Sequence, residues 1–377
     1  MTRTKASKPA SIGTGAIQRL PAEALFADEL GQLREFDEQA GAPRPPGWEL
    51  SMESVRRFVM GDEALGLSPK FVGDASLVDR AMVTLATSRG LMLVGEPGTA
   101  KSLLSELLAA AISGVSTLTI QGGASLTEDQ IRHSWNYALL VAKGPSLDAL
   151  VPSPLYRGMQ QGKIVRFEEI TRCPIEVQDA LLSMLSERVM AIPELGSAEE
   201  SMLYAREGFN LIATANTRDR GVNEMSAALK RRFNFETVFP IADFQTELAL
   251  VRRETDRLLA ASGVPVRPPE DLLHVLVTAF RELRMGESVE GHGMERLSSA
   301  LSTAEAVSVA HAVGVRGYYL RGDGGRAGDI LQHLAGTAAK DNPEDLKRLR
   351  VYIEQRVKDR KGDDWQALYD ARHELRG

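Results

Sequence analysis

The stretch "GLMLVGEPGTAKSLLSELLAAAI", residues 90–112, constrains the fold more than any other part of the chain. Its first six residues form a short apolar run that ends in glycine, the pattern of a parallel strand buried on both faces. The residues after the glycine loop place Leu104, Leu107, Leu108 and Ala111 at i, i+3, i+4 and i+7, one apolar face of a helix. A buried strand that passes through a tight loop into a helix opens an α/β layer. The same alternation recurs downstream. "VSTLTIQ" (115–121) is β-branched, "KIVRFEE" (163–169) and "FNLIATAN" (209–216) are apolar and end in polar residues, and "ETVFPI" (236–241) is a fourth candidate strand. Between them, "PIEVQDALLSMLSER" puts Val177, Leu181, Met184 and Leu185 on one helical face, with Pro174 near the first turn. Strands alternating with helices predict an α/β fold with a mostly parallel sheet.

Beyond residue 243 the strand signals stop. Leu273, Leu276, Val277 and Phe280 recur at helical spacing, and Ser302 or Thr303 is placed to cap a helix over "AEAVSVAHAV". Asn342 and Pro343 open another, with Leu346, Leu349, Ile353 and Val357 facing inward. The expected organisation is an N-terminal extension and linker over residues 1–50, a nucleotide-binding-type α/β core over 51–242, and an all-α lid with C-terminal helices over 243–377. The "GAPRPPG" run at 41–47 reads as a stiff linker, and residues 21–39 as a short helical interruption of the extension.

Composition narrows the function classes. No apolar run approaches the roughly 20 residues of a membrane span. Arg3, Lys5, Lys8 and Arg19 are followed by no apolar block, so no secretory leader is expected. The one cysteine, Cys173, cannot form an intramolecular disulfide and fits a reducing cytoplasm. A net charge of −6 argues against wrapping nucleic acid, and the six histidines have no ligand-like spacing.

The loop itself, Gly95, Glu96, Pro97, Gly98, Thr99, Ala100, Lys101 and Ser102, leading to Leu103, is one residue away from G-x-x-x-x-G-K-[ST]: Ala100 stands where a glycine is usual. As a phosphate cradle, its glycines would turn backbone N–H groups toward the ligand at a helix N-terminus. Lys101 would reach the β- and γ-phosphates, and Ser102 would ligate Mg²⁺. Alanine is a good helix former, so its methyl is expected to be tolerated at a helix start. The plainer alternative is a glycine turn joining a strand to a helix.

Three features weigh against the plainer reading. Glu168 and Glu169 close an apolar strand at its C-terminal end, where ligands of open α/β sheets bind. Glu168 would hold Mg²⁺ through its water shell, and Glu169 would polarise an attacking water. Asn216 closes another apolar strand and could hold that water or the γ-phosphate. "SAALKRRFNF" (226–235) carries Arg231 and Arg232, either of which could stabilise charge in phosphoryl transfer from a neighbouring subunit.

"GEPGTAKS", "FEEITRCPIEVQDALLSMLSER", "LIATAN" and "ALKRRF" together resemble the MoxR-type AAA+ ATPases, over roughly residues 71–313. Members of that family tolerate alanine before the loop lysine. The resemblance implies a P-loop AAA+ core with a parallel sheet and a helical lid, binding ATP and Mg²⁺. It implies a homo-oligomeric ring, usually a hexamer, that remodels or activates a protein client, often one with a von Willebrand factor A domain. By the same resemblance Lys101 and Ser102 are the Walker A pair, Glu168 and Glu169 the Walker B pair, and Asn216 the sensor-1 residue. Arg232 is the arginine finger, with Arg231 the runner-up.

Residues 121–151 fall where this clade inserts an extra element, with Trp135 and Tyr137 as candidate partner anchors. Two departures stand out. A glutamate replaces the usual aspartate at 168, and Ala304 occupies the position where relatives carry a lid arginine, for which Arg296 or Arg316 are candidate substitutes. The alternatives are a nucleic-acid motor of the same clade and an ATP-binding scaffold without turnover.

Overall fold

The parity of strand residues explains the layering. The computed structural model describes residues 19–196, 201–216, 224–298, 301–340 and 342–375. Its central sheet has five parallel strands: β1 (Gly90–Gly95), β2 (Thr119–Gln121), β3 (Ile164–Glu168), β4 (Asn210–Asn216) and β5 (Phe233–Thr237). Their spatial order is β2-β3-β4-β1-β5. Successive side chains on a strand point to opposite faces. Leu91 and Leu93 of β1, Ile164 of β3 and Ile212 of β4 accordingly enter one apolar cluster, while Met92, Val165, Phe167, Leu211 and Ala213 enter another.

The first cluster is closed by α1 (Ala27–Ala40), α2 (Met52–Met60), α3 (Ala75–Leu85) and α4 (Lys101–Ser113). The second takes α5 (Pro154–Gln161) and the short helices Ile175–Asp179 and Leu182–Ser186. Both faces are covered, so the strands read as continuous apolar runs rather than as alternating ones.

The helical part follows from residue 244: α6 (Phe244–Ala261), α7 (Glu270–Met285), α8 (Thr303–Arg321), α9 (Ala327–Ala338), α10 (Pro343–Tyr352) and α11 (Asp363–Asp370). These helices share one apolar cluster of their own, which includes Leu273, Leu276, Val277, Phe280, Leu349, Ile353 and Val357. Ser302 caps α8 in a reciprocal box with Glu305, and Asn342 caps α10 ahead of Pro343. No helix among the described residues is long and apolar enough to cross a membrane.

Local expectations differ in four places. The segment 19–50, whose composition reads as extension and linker, packs on the core: Leu30, Leu33 and Trp48 are buried in one cluster with Leu104 and Leu107. Pro- and Gly-rich composition reports backbone stiffness, not whether apolar residues on either side find a surface. Residues 1–18 lie outside the described residues. The last strand runs over Phe233–Thr237, upstream of 236–241, because its pairing starts at Gly90 opposite Phe233 and Pro240 has no N–H to extend it. Only Thr119–Gln121 of the 115–121 run is paired. The helix expected over 174–188 is broken between Asp179 and Leu182, where Leu181 N–H donates to the Gln178 carbonyl in a tighter i to i+3 bond.

Within residues 121–152, His133–Trp135 pairs with Leu150–Pro152 in a two-stranded antiparallel ribbon that encloses the helix Tyr137–Lys143. Trp135 packs edge-on to His133 and against the core, whereas Tyr137 is 78% exposed.

Candidate functional site

Strand register gathers residues that lie more than a hundred positions apart. Gly95 pairs with Asn216, and Phe167 pairs with Ala213, so the C-terminal ends of β1, β3 and β4 finish side by side. Thr214 and Glu168 have the same parity as Ile212 and Ile164, which turns both toward α4, whose first turn carries Lys101, Ser102 and Ser105. At this end of the sheet the chain leaves β1 toward β2 on one side and β4 toward β5 on the other, which makes the usual ligand crevice of an open α/β sheet.

The loop from Gly95 to Ser102 leads straight into α4. Gly98 is left-handed, with φ +76°, and a Cβ there would stand 2.0 Å from the Ser302 Cβ, so only glycine lets the cap of α8 rest on the loop. Lys101 is buried and its Nζ donates to the carbonyls of Gly95 (3.2 Å) and Glu96 (2.7 Å), folded across its own loop.

Ala100 corrects the expectation drawn from helix propensity. It is not helical but left-handed, with φ 66° and ψ 24°, as the residue just ahead of α4. The usual glycine at this position answers a backbone requirement, which helix propensity does not measure. The left-handed region costs an L-residue roughly 1–2 kcal/mol. Ala100→Gly would relieve that strain and lose about 0.4–1 kcal/mol to greater unfolded-chain freedom. A net gain of up to about 1.6 kcal/mol is the expected outcome. Urea denaturation without nucleotide checks this, and a fall in stability would refute the strain argument.

Glu168 is the centre of a buried polar cluster. Its Oε2 accepts from Ser102 Oγ at 2.7 Å and Thr214 Oγ1 at 2.8 Å, and its Oε1 accepts from Ser105 Oγ and Arg166 Nη2, each at 2.8 Å. Burial pushes its pKa up, but the Ser102 hydrogen bond, the Arg166 charge and the other two hydroxyls together bring it below the ordinary 4.5. The carboxylate is therefore ionised at neutral pH, and its long side chain is accommodated by donors on both flanks. Arg166 is anchored in turn on the carbonyls of Ser102 (3.0 Å) and Ser116 (3.1 Å).

Sequence reasoning missed Ser105, Arg166 and Thr214. Two of them carried a readable signal: Ser105 lies one helical turn from Ser102, and Arg166 lies two residues from Glu168 on the same strand face. The part played by Thr214 depends on strand order alone.

Glu169 adopts left-handed backbone, φ 55° and ψ 44°. Its N–H donates to Thr214 Oγ1 at 3.0 Å, so one hydroxyl serves both acids. Its carboxylate forms an ion pair with Arg172 Nε at 3.0 Å. Asn216 ends β4 beside Gly95 and is half-buried.

Arg231 and Arg232 lie elsewhere. They precede β5, where the Arg232 carbonyl accepts from Gly90 N–H at the opposite end of the sheet from Gly95. Five residues of strand separate the two ends, about 16 Å at roughly 3.3 Å per residue. Arg232 Nε donates to Ser186 Oγ at 2.6 Å, while Arg231 is exposed. The candidate lid arginines are also engaged apart from the loop: Arg296 Nε donates to the Met285 carbonyl at 2.7 Å, and Arg316 pairs with Asp329 at 3.0 Å. Ala304 is exposed at the start of α8.

The donor set suits a phosphate with a hard divalent cation. A glycine-opened loop, a lysine and a helix N-terminus serve the anion, and a hydroxyl beside an ionised carboxylate offers the oxygen ligands that Mg²⁺ prefers. No cluster of three or more His, Cys, Asp or Glu able to hold a metal occurs among the described residues.

Residues 90–233 match the family model described as an AAA domain of the dynein-related subfamily. Residues 245–376 match the YehL-like AAA+ ATPase C-terminal domain. The chain is 62% identical over 359 residues to YehL of Escherichia coli (strain K12), covering 95% of this chain and 98% of that protein. Among solved structures, NtrX from Brucella abortus in complex with ADP aligns with a TM-score of 0.47 at 12% identity, over 80% of this chain and 64% of NtrX. The same protein in complex with ATP gives 0.47 at 13% identity, over 82% and 65%. The chain thus spans just under two thirds of the length of NtrX.

Proposed function

Since the chain belongs to the YehL-like AAA+ ATPases, we propose that it hydrolyses ATP to ADP and phosphate in a ring whose subunits complete one another's sites, and that it uses this cycle to remodel a protein client. One observation carries the reading. The loop, both acids and Asn216 converge at one end of the sheet, while Arg231 and Arg232 stand at the other. Within the subunit Arg166 and Arg172 are already tied to the two acids, and a neighbour's arginine supplies the charge beside the transferring phosphate.

In this reading Gly95, Glu96, Pro97, Gly98, Thr99, Ala100, Lys101, Ser102 and Leu103 line the triphosphate. Lys101 leaves the loop carbonyls for the phosphates. Ser102 and Glu168 hold Mg²⁺, which when bound neutralises charge on the phosphate oxygens. Glu169 accepts a proton from water as the water oxygen bonds to the γ-phosphorus and the bond to the bridging oxygen breaks. Asn216 orients that water, and Arg232 of the adjacent subunit steadies the transferring group.

The MoxR-type motifs support a hexamer and a client with a von Willebrand factor A domain. The exposed Tyr137 and Val141 on the insert helix support a protein partner rather than nucleic acid. The separate apolar clusters fit a core that takes in residues 22–50 as well as 51–242, with a lid beyond it. The buried lone Cys173 fits a reducing, cytoplasmic setting.

Steady-state ATP hydrolysis measured against protein concentration tests the reading. Specific activity should rise as subunits assemble. Arg232→Ala should lower kcat about a thousandfold, the low end for such arginines, with ATP binding retained. Turnover independent of concentration down to the monomer would overturn the shared site.

A further inference from the structure

Arg166 is a buried guanidinium on β3, set between the apolar Val165 and Phe167. Every N–H of its fork has an acceptor. Nε meets Ser105 Oγ (2.9 Å), and Nη1 meets the Ser116 carbonyl (3.1 Å) and Thr119 Oγ1 (3.5 Å). Nη2 meets the Ser102 carbonyl (3.0 Å) and Glu168 Oε1 (2.8 Å). Ser116 is fixed in turn, because its N–H and hydroxyl donate to Glu23 Oε2 at 3.1 and 2.6 Å. The guanidinium therefore has one place to be.

This makes the two oxygens of Glu168 unequal. Oε1 is taken by Arg166 and Ser105, while Oε2 faces the hydroxyls of Ser102 and Thr214. The Arg166 and Glu168 side chains are only 10% and 8% exposed, so little water screens one charge from the other.

We propose that Arg166 is a positioning residue for the metal site: it holds Oε1 so that Oε2 faces Ser102, and its charge offsets that of Glu168, so that a divalent cation enters only together with the phosphates of a nucleotide. The inference rests on the reading of Ser102 and Glu168 as the pair that holds Mg²⁺. The pull of the acid on an incoming cation is opposed by the push of the guanidinium beside it, and in a poorly screened site both are strong. The phosphates of a nucleotide bring the negative charge that tips this balance. The result is an ordered site that takes no metal before nucleotide.

The test titrates Mn²⁺, a paramagnetic stand-in for Mg²⁺, into the full-length protein without nucleotide and reads the free ion by electron paramagnetic resonance. Arg166→Met should bind Mn²⁺ at least about tenfold more tightly than wild type, the scale of removing a unit charge close by. Arg166→Lys keeps the charge and should stay as weak as wild type. Glu168→Gln added to Arg166→Met should abolish the gain, which locates the ion at the acid. Arg166→Gln removes the charge but keeps a hydrogen-bonding head, and it gives the same reading if the methionine variant does not fold. An ion pair that only stabilises the fold predicts a loss of stability and no gain in metal affinity.

A companion titration with a non-hydrolysable ATP analogue, with and without Mn²⁺, separates the two ideas. If Glu168→Gln weakens the Mn²⁺-dependent binding of the analogue, the metal reading stands. The proposal alone then falls if wild type binds Mn²⁺ by itself as tightly as the charge-removing variants, or if their gain survives Glu168→Gln. If analogue binding depends on Mn²⁺ equally in wild type and Glu168→Gln, the metal reading falls and the proposal with it.

Discussion

Glu169→Gln is expected to lower kcat about 10²- to 10⁴-fold, the span by which general-base catalysis usually contributes, while ATP still binds. The substitution is nearly isosteric and leaves the backbone contacts of Glu169 with Thr214 and Gly122 in place. The amide cannot accept the proton that water must lose, so the loss appears in the chemical step and not in affinity. Lys101→Ala gives the opposite signature. Its ammonium reaches the carbonyls of Gly95 and Glu96, and its removal takes away the main cation of the cradle, so nucleotide binding itself should be lost. Equilibrium titration with a fluorescent ATP analogue, run beside single-turnover hydrolysis, separates the two. Turnover at the wild-type rate in Glu169→Gln would remove Glu169 as the base. Tight ATP binding by Lys101→Ala would remove the loop as the cradle.

The second large effect concerns stability. Glu247 on α6 is 1% exposed and accepts from Arg281 (2.9 Å), Arg284 (2.9 and 3.1 Å) and Thr303 (2.7 Å). Those partners also hold the passage between the two parts of the chain. Arg281 donates to the Ala242 carbonyl at 2.7 Å, and Arg284 to the Leu301 carbonyl at 3.3 Å, next to the Ser302 cap that rests on Gly98. Glu247→Ala leaves two poorly solvated guanidinium groups facing a void. Breaking a buried pair from one side costs about 3–5 kcal/mol, and thermal unfolding followed by circular dichroism should show a loss of that order. A change within about 0.5 kcal/mol, typical of surface substitutions, would show that the cluster is not a stabilising tie.

The same groups set a direction with pH. Burial raises the pKa of Glu247, but the Arg284 hydrogen bond and charge, Thr303 and Arg281 outweigh it, and the folded value lies below the ordinary 4.5. Glu168 is shifted the same way. A depressed folded pKa contributes stability that is fully present above the unfolded value and is lost as pH falls through the folded one. Stability should therefore drop below about pH 4.5, and more shallowly in Glu247→Ala.

Much of this architecture was legible without coordinates, because periodicity is a local property. Leu104, Leu107 and Leu108 announce a helix face, and Asn342 with Pro343 announces a helix start, whatever the rest of the chain does. Chemistry that needs a strand end was legible for a similar reason: a buried strand ending in Glu168 and Glu169, or in Asn216, can offer those groups only at its rim. Ala100 was misread because propensity scales describe helix interiors, and its residue is left-handed. Arg166 and Ser105 stand at positions that share a face with Glu168 and Ser102, but nothing local says that three hydroxyls and a guanidinium will converge on one carboxylate.

By itself the sequence determined the element types, the strand–loop–helix unit at residues 90–112, the all-α character of the second half, and the pool of residues able to handle phosphate. Only the tertiary structure decided which of them meet. The order β2-β3-β4-β1-β5 sets Asn216 beside Gly95 and Thr214 between the two acids, and it leaves Arg231 and Arg232 at the far end of β5. The physical reason is that spacing along the chain governs helix and strand formation, whereas pairing between distant strands follows from burying both faces of one sheet. A residue's neighbours across that sheet depend on every strand being in place.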